Sequence, residues 1–596
     1  MTSTPADLPD EESRPGLPRR TVLKGGAAAL TAAASASLAS AASPAAAASA
    51  TGAEAPAAAG PAASVFRHGV ASGDPLGTAV ILWTRVTPAA HAVPGSGRGG
   101  PVSVRWELAA DEGFRAVLKS GTARTTAARD HTVKVDVTGL KPYTRYWYRF
   151  RALGATSRAG RTQTAADDGR LHALRLGCVS CSNWTGGFFA AYGHLSRRDD
   201  LDVIVHLGDY LYEYGNGADR YGPDSLQGRR DHIPGHEVLT LADYRARHGQ
   251  YKTAGHLQGA HAAHPWIVIF DDHEVTNDTY DTGAQNHTPG VEGDFLARRR
   301  AAYQAYLEWM PLRVPDQRVP HQGQRFWRRF SFGPLADLSV LETRQNRSKQ
   351  AASGQDLEAL GDAARVIMEP EQMSWLTKGV ADASRRWHLL ANQVVFTRVA
   401  IRPSVPGQSK LGALGLAATV DATGAPVFNP DQWDGYQDDQ REVTVAMQAS
   451  VVDTVILTGD IHSSWANEIP VDPATYRTTG DSAAVEFVCP SITSDGFREI
   501  LGSDAAVTAA TNGLKALNPN IKYLDGFGHG YCVLDVTPTR VQTDYWFISD
   551  REDPRATQTL ASSWRSEHGS RKVVPAAAAI GRRSDHPRTH VPASGG

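Results

Sequence analysis

Apolar runs that stop abruptly at clusters of polar residues organise this chain. Residues 202–214 read DVIVHLGDYLYEY, 266–278 read WIVIFDDHEVTND, and 454–462 read TVILTGDIH. In each, four or five β-prone residues give way to Asp, His, Tyr or Asn. Such a run predicts a parallel strand buried on both faces. The polar burst falls where the strand's carboxyl end opens into a loop, the edge at which open α/β sheets bind ligands. The runs at 174–178, 335–341, 388–396 and 484–488 predict further strands, and 295–309 and 371–383 have helical periodicity. Together they predict a central α/β domain over 170–552.

Ahead of it, 80–85, 102–108 and 132–137 alternate, in whole or part, at period two, which predicts a small all-β domain over 64–166. Residues 139–150 (GLKPYTRYWYRF) resemble the turn and penultimate strand of a fibronectin type III or Ig-like sandwich, with a Tyr holding the corner. A strand pair of the main sheet is the alternative. Nothing in this segment looks catalytic.

The ends differ in kind. Arg19-Arg20-Thr21-Val22-Leu23-Lys24 and the Ala/Gly/Leu stretch after it fit a twin-arginine export signal, followed by a low-complexity linker to residue 63. The expected location is therefore outside the cell, free or associated with the wall, after passage through the twin-arginine machinery. The stretch is too weakly apolar to suggest a retained membrane anchor. Residues 573–596 are rich in Ala, Pro, Gly, Arg and His and predict a disordered tail.

Composition narrows the class. The chain has 596 residues, more than one ordinary core can use. Lys+Arg total 61 against Asp+Glu 63, so no global charge argues for a nucleic-acid partner. Four Cys in such a length make no disulfide framework. Cys489 and Cys532 read as buried thiols, or as a pair that export would permit.

The bursts bring Asp209, Tyr212, Asp272, His273, Asn277, Asp460 and His462 toward one edge. Oxygen and imidazole donors gathered this way suit two adjacent hard or borderline cations, a device for attack on phosphorus. Asp209 has two oxygens and could bridge both ions. Structural alternatives stay open: Asp209 and Asp272 as turn or cap residues, Tyr212 as a core aromatic, Asn277 as a cap, and Arg344 as a surface ion pair.

The set Ser180-Cys181-Ser182, Gly208-Asp209-Tyr210-Leu211-Tyr212-Glu213, Asp271-Asp272-His273-Glu274, Thr343-Arg344 and Gly459-Asp460-Ile461-His462 resembles the PhoD family of exported alkaline phosphatases, within the calcineurin-like metallophosphoesterases. The resemblance covers about 65–550. It implies an α/β metallophosphoesterase-type layered β-sandwich flanked by helices. It also implies a monomeric hydrolase of phosphate mono- and diesters that uses metal-activated hydroxide. Phospholipids and teichoic-acid-like esters are further candidate substrates, and a phospholipase D-type diesterase on the same scaffold is the alternative.

By that resemblance Cys181, Asp209, Tyr212 and His462 would hold Fe³⁺, while Asp209, Asp272, Asn277 and Asp460 would face Ca²⁺. Cys181 fits the thiolate position better than Cys178, which lies within an apolar run. His273 would serve a leaving oxygen, with a bond to Asp271 as its structural alternative. Arg344 would bind phosphate oxygens, although Glu342-Thr343-Arg344 stands where the family more often has Asp-Thr-Arg. A non-catalytic surface-binding protein is the rival class, and it predicts no tightly bound iron.

Overall fold

The computed structural model describes residues 64–581, apart from 168, 171, 219, 314–324, 353–355 and 402–426, together with 583 and 588–589. The export signal and linker lie outside the described residues. So does part of the tail.

Two large sheets face each other. The ten-stranded sheet is built on three parallel neighbours, Leu174–Val179, Val203–His206 and Pro265–Val268. The seven-stranded sheet is built on Ala336–Val340, Trp387–Ala391, Asp453–Thr458 and Ser482–Val488, also parallel. Between them lies one core, with Leu176, Val205 and Ile267 from the first sheet and Leu338, Leu389 and Val455 from the second. The intervening residues Ile204, Trp266 and Val268 face a second core, shared with Tyr303 and Tyr306 of the helix Phe295–Trp309. Period-two alternation thus sends every side chain into one core or the other, and that explains the unbroken apolar runs. The helix begins where Asp294 caps it, its side chain accepting from the Ala297 N–H at 2.9 Å.

The N-terminal region is all-β, but it does not stand apart. Val70–Leu76 runs parallel to Pro265–Val268 in the ten-stranded sheet, and Ala79–Arg85 and Thr132–Thr138 follow it outward. Val102–Ala109, Val117–Thr125 and Thr144–Ala152 form a separate sheet that packs over these strands through Val80, Leu82, Val104, Leu108 and Tyr148. One layer of the module is therefore an extension of the main sheet. At the turn before Thr144–Ala152, the Tyr146 hydroxyl accepts the Lys141 N–H at 2.9 Å.

The expected disorder from residue 573 is corrected at the described positions. Val573 is buried, and Val574–Pro575 pairs with Gln558–Glu567. Arg583 lies 2.5 Å from Asp202, and its guanidinium also donates to the Tyr143 hydroxyl at 2.7 Å. Arg588–Thr589 adds a short parallel strand beside Thr144–Ala152. Composition concealed these anchors, because a single Arg facing a buried carboxylate suffices to hold an otherwise polar segment. All four cysteines are free and buried, so Cys489 and Cys532 are thiols. Residues Trp433–Gly435, which by sequence could shape an entrance or pack, form a 3₁₀ turn with Trp433 wholly in the core.

Candidate active site and metal centre

The carboxyl ends of the central strands of both sheets open toward the same place. After Leu174–Val179 the chain turns at Cys181, after Val203–His206 at Asp209, and after Asp453–Thr458 at Asp460 and His462. These four residues have φ of 60°, 56°, 65° and 53°, the left-handed region that side chains other than glycine disfavour. Each costs of order 1 kcal/mol and persists only because its surroundings fix it. Gly208 is required where it stands: its φ is 106°, and a Cβ there would lie 2.5 Å from the Asp271 Cβ. Glu274 ties the two turns together, its carboxylate accepting the N–H groups of Asp209 at 3.2 Å, Tyr210 at 2.6 Å and Asp271 at 2.8 Å.

Three overlapping groups of ligand atoms result, each with its atoms within 4.8 Å of one another: Cys181–Asp209–His462, Asp209–Asp272–His273 and Asp271–Asp272–Asp460. Tyr212 joins the first, its hydroxyl donating to Asp209 Oδ2 at 2.9 Å and lying 3.3 Å from His462 Nε2. The Ser494 hydroxyl donates to the same phenol at 2.6 Å. His462 Nδ1 is 2.7 Å from the Asp495 carbonyl, which leaves Nε2 for the cluster. Asp209 Oδ1 and Asp271 Oδ2 are buried without a hydrogen-bond partner among the described residues. An orphaned carboxylate oxygen in such a place is costly unless a cation or proton meets it. The donor set therefore fits metal: thiol, carboxylate, phenol and imidazole for a transition ion, and carboxylates for a hard one.

Electrostatics agree. Burial, reinforced by neighbouring acids, pushes Asp209 well above the usual carboxylate range. Burial likewise pushes up the Cys181 thiol and the Tyr212 phenol, with Asp209 adding to both. Burial takes Asp460 up to about 6 despite Arg344, and lowers His462 to about 4. Against burial, Arg344 and His273 hold Asp272 ionised, well below its ordinary value. Without cations the neutral forms of Asp209, Cys181 and Tyr212 are favoured, and binding cations there would release protons.

The expected residues divide. Cys181, Asp209, Tyr212, Asp272, His273, Asp460 and His462 converge. Asn277 is on the wall of the same cavity, half-buried. Its amide donates to Gln285 at 2.9 Å. His273 Nδ1 is 2.7 Å from Glu213, not Asp271, so Nε2 is its available nitrogen. Against burial, Glu213, Asp209 and Asp272 raise its pKa well above the ordinary histidine value.

Arg344 departs from expectation. It is wholly buried and donates to Asp271, to Asp431 at 2.7 Å and to Asp460 at 3.1 Å, with Asp272 at 3.8 Å. It stands behind the carboxylates and is not on the cavity wall. It is no surface ion pair: four acids converge on its guanidinium from segments the sequence does not connect.

Sequence reasoning missed Asp431, which binds both Arg344 and Arg347 and shares the cavity wall with Asp278. The Asp278 N–H donates to Asp272 at 2.6 Å. Glu213 and Glu274 were visible only as motif letters, and their roles as braces became clear from their hydrogen bonds.

The cavity above the ligand groups has a volume of about 190 Å³. A larger one, about 780 Å³, lies away from this chemistry between Thr132–Thr138 and the helix Phe295–Trp309.

Residues 176–545 match the family described as PhoD-like phosphatase, and 51–166 match its N-terminal domain. Alkaline phosphatase D of Bacillus subtilis (strain 168) is 34% identical over 523 residues, covering 85% of this chain and 82% of that protein. A solved structure of PhoD superposes with a TM-score of 0.74 at 31% identity, covering 88% of this chain and 94% of the other. The chain belongs to the PhoD-like phosphatase family and is a phosphoric ester hydrolase.

Proposed function

We propose that the enzyme leaves the cell through the twin-arginine machinery, directed by residues 1–63. Outside, it acts as a monomer on phosphate monoesters and diesters, with catalysis in 170–552 and an Ig-like module at 64–166. Fe³⁺ would be held by Cys181, Asp209, Tyr212 and His462, and Ca²⁺ by Asp209, Asp272, Asn277 and Asp460. The observation that carries this reading is the membership of Asp209 in two ligand groups, with one of its oxygens otherwise unpartnered. Two cations sharing one carboxylate explain why so many acids are assembled with a thiol and a phenol. That no described helix is long and apolar enough to cross a membrane is compatible with release.

When bound, the cations would polarise the phosphoryl oxygens and lower the pKa of a water so that it can attack phosphorus. The chain's own residues do the rest. Asp209 fixes the separation of the two sites, and Glu274 fixes Asp209. The Glu213 carboxylate orients His273, which delivers a proton from Nε2 to the departing alkoxide as the ester P–O bond breaks. Arg344 gathers Asp271, Asp272, Asp431 and Asp460 around its guanidinium and does not touch substrate.

Elemental analysis of the purified exported protein, run beside phosphate release from a monoester and a diester, tests the reading. Iron and calcium bound together with turnover are expected. Full activity after removal of all metal would overturn it. A phospholipase D-type diesterase is the second reading, favoured by the apolar residues on one side of the cavity.

A further inference from the structure

The catalytic cavity has two unlike walls. On one side stand Asp209, Asp272, His273, Asp460 and His462. On the other stand Phe428, Ile461, Phe497, Ile500 and Leu501. Three of these apolar residues come from the short helix Phe497–Leu501. They form a rigid surface: Phe497 and Leu501 are buried in a core with Trp465, Val488 and Val507, Ile461 and Phe428 pack against it, and the Phe428 and Phe497 rings lie 6.3 Å apart. Ile500 is half-buried at the edge of that wall.

Charge sharpens the picture. Among the described residues on the cavity wall there is no Lys or Arg, while Asp278, Asp431 and Asp495 add acids beyond the ligand groups. Guanidiniums beside the wall are committed to carboxylates: Arg344 and Arg347 to Asp431, and Arg551 to Asp495 at 2.7 Å. A second anionic group on the substrate would therefore meet acids, with His273, already paired with Glu213, as the one exception among the described wall residues. A single phosphate can be held by the cations over Asp209, and the group esterified to it has only the apolar wall to rest on.

We propose that this wall selects the alcohol of the ester: the enzyme prefers substrates whose single phosphate carries an uncharged apolar group, alkyl, acyl-bearing or aryl, seated on Phe497, Ile500 and Leu501. The inference rests on the reading of the site as a phosphoesterase and deepens it to a substrate class. Apolar pockets of this kind discriminate by roughly 10- to 200-fold per well-buried group. The preference should therefore be plain but not absolute, and it should lie mainly in KM.

The test uses esters of equal charge and similar leaving groups: hexyl phosphate against glycerol phosphate, and hexyl methyl phosphate against glyceryl methyl phosphate, with the metal-loaded, full-length enzyme. The wild-type protein should favour the hexyl member of the pair it hydrolyses by about tenfold or more in kcat/KM. Ile500→Ser and Phe497→Leu should each shrink that ratio, and Ile500→Lys should shift preference toward hexane-1,6-diol bisphosphate over hexyl phosphate. Circular dichroism confirms the fold of each variant, and the wild-type ratio decides even if one fails to fold. Equal kcat/KM for both members, or a ratio unmoved in the folded variants, would overturn the inference and leave the phosphoesterase reading intact. A metal-loaded wild-type enzyme that hydrolyses none of the four would sink that reading, and the inference with it.

Discussion

The two halves of the ligand cluster solve the same problem in opposite ways. Around Cys181, Tyr212 and His462 the donors are neutral when no cation is present, and burial keeps them so. Around Asp271, Asp272, Asp431 and Asp460 the donors are acids with a buried arginine among them, which holds Asp272 and Asp431 ionised while burial still raises Asp271 and Asp460. The first half can stay folded and uncharged until an ion arrives. The second carries its own internal cation, so its geometry is set before any ion arrives. Asp209 shares ligand groups with Cys181 and His462 and with Asp272: Tyr212 donates to one of its oxygens, the other has no partner among the described residues, and burial raises its pKa.

Removing the shared member should have the largest effect. Asp209→Ala is expected to lower kcat by roughly 10³-fold or more and to strip metal from both halves, as read by turnover and elemental analysis. Metal lost from one half alone would show that the halves are independent. Next comes the internal cation. Arg344→Met removes the guanidinium that four acids share, leaving only Arg347 beside Asp431, and should cost of order 3–5 kcal/mol in the chelated protein, with Arg344→Lys costing less. Added divalent cation should restore more stability to Arg344→Met than it adds to the wild type. An equal increment in calorimetry would show that the arginine and the ions do not share the acids.

On the neutral side, Tyr212→Phe should abolish any visible band from phenolate on Fe³⁺, and Ser494→Ala should weaken metal affinity by roughly 10–100-fold with the band retained. A band that survives Tyr212→Phe would place the phenol outside the first ion's donors. The smallest effect concerns pH. The Asp460 carboxyl is raised in the folded state to about 6, so its proton stabilises the fold below about pH 4 and that contribution is lost as pH rises through 6. Chelated protein should therefore melt lower at pH 7.5 than at pH 5, by roughly 2–4 °C. Loading with cations should remove the difference.

What could be read from the chain follows the same division. A buried strand that ends in a polar burst is a local signal, and it pointed to Asp209, Tyr212, Asp272, His273, Asn277, Asp460 and His462 together with the strands that carry them, while Cys181 came from the family resemblance. Asp431 follows no such strand, so nothing nearby marked it. Arg344 was found, but not its partners, because the four acids around it come from three separate segments and only the fold reveals their convergence. Periodicity likewise gave the N-terminal strands their faces without naming their neighbours. Alternation says which side of a strand is buried and is silent on which strand lies beside it.

The neighbour in question has a practical consequence. Val70–Leu76 lies along Pro265–Val268, so the upstream module seals one flank of the catalytic sheet. A fragment started at residue 170 would bare that flank: a row of amides and carbonyls on an apolar ribbon, ready to recruit the same ribbon from another molecule. The module cannot be trimmed away as an accessory. Anyone shortening or swapping it inherits an aggregation seam one strand away from Asp209.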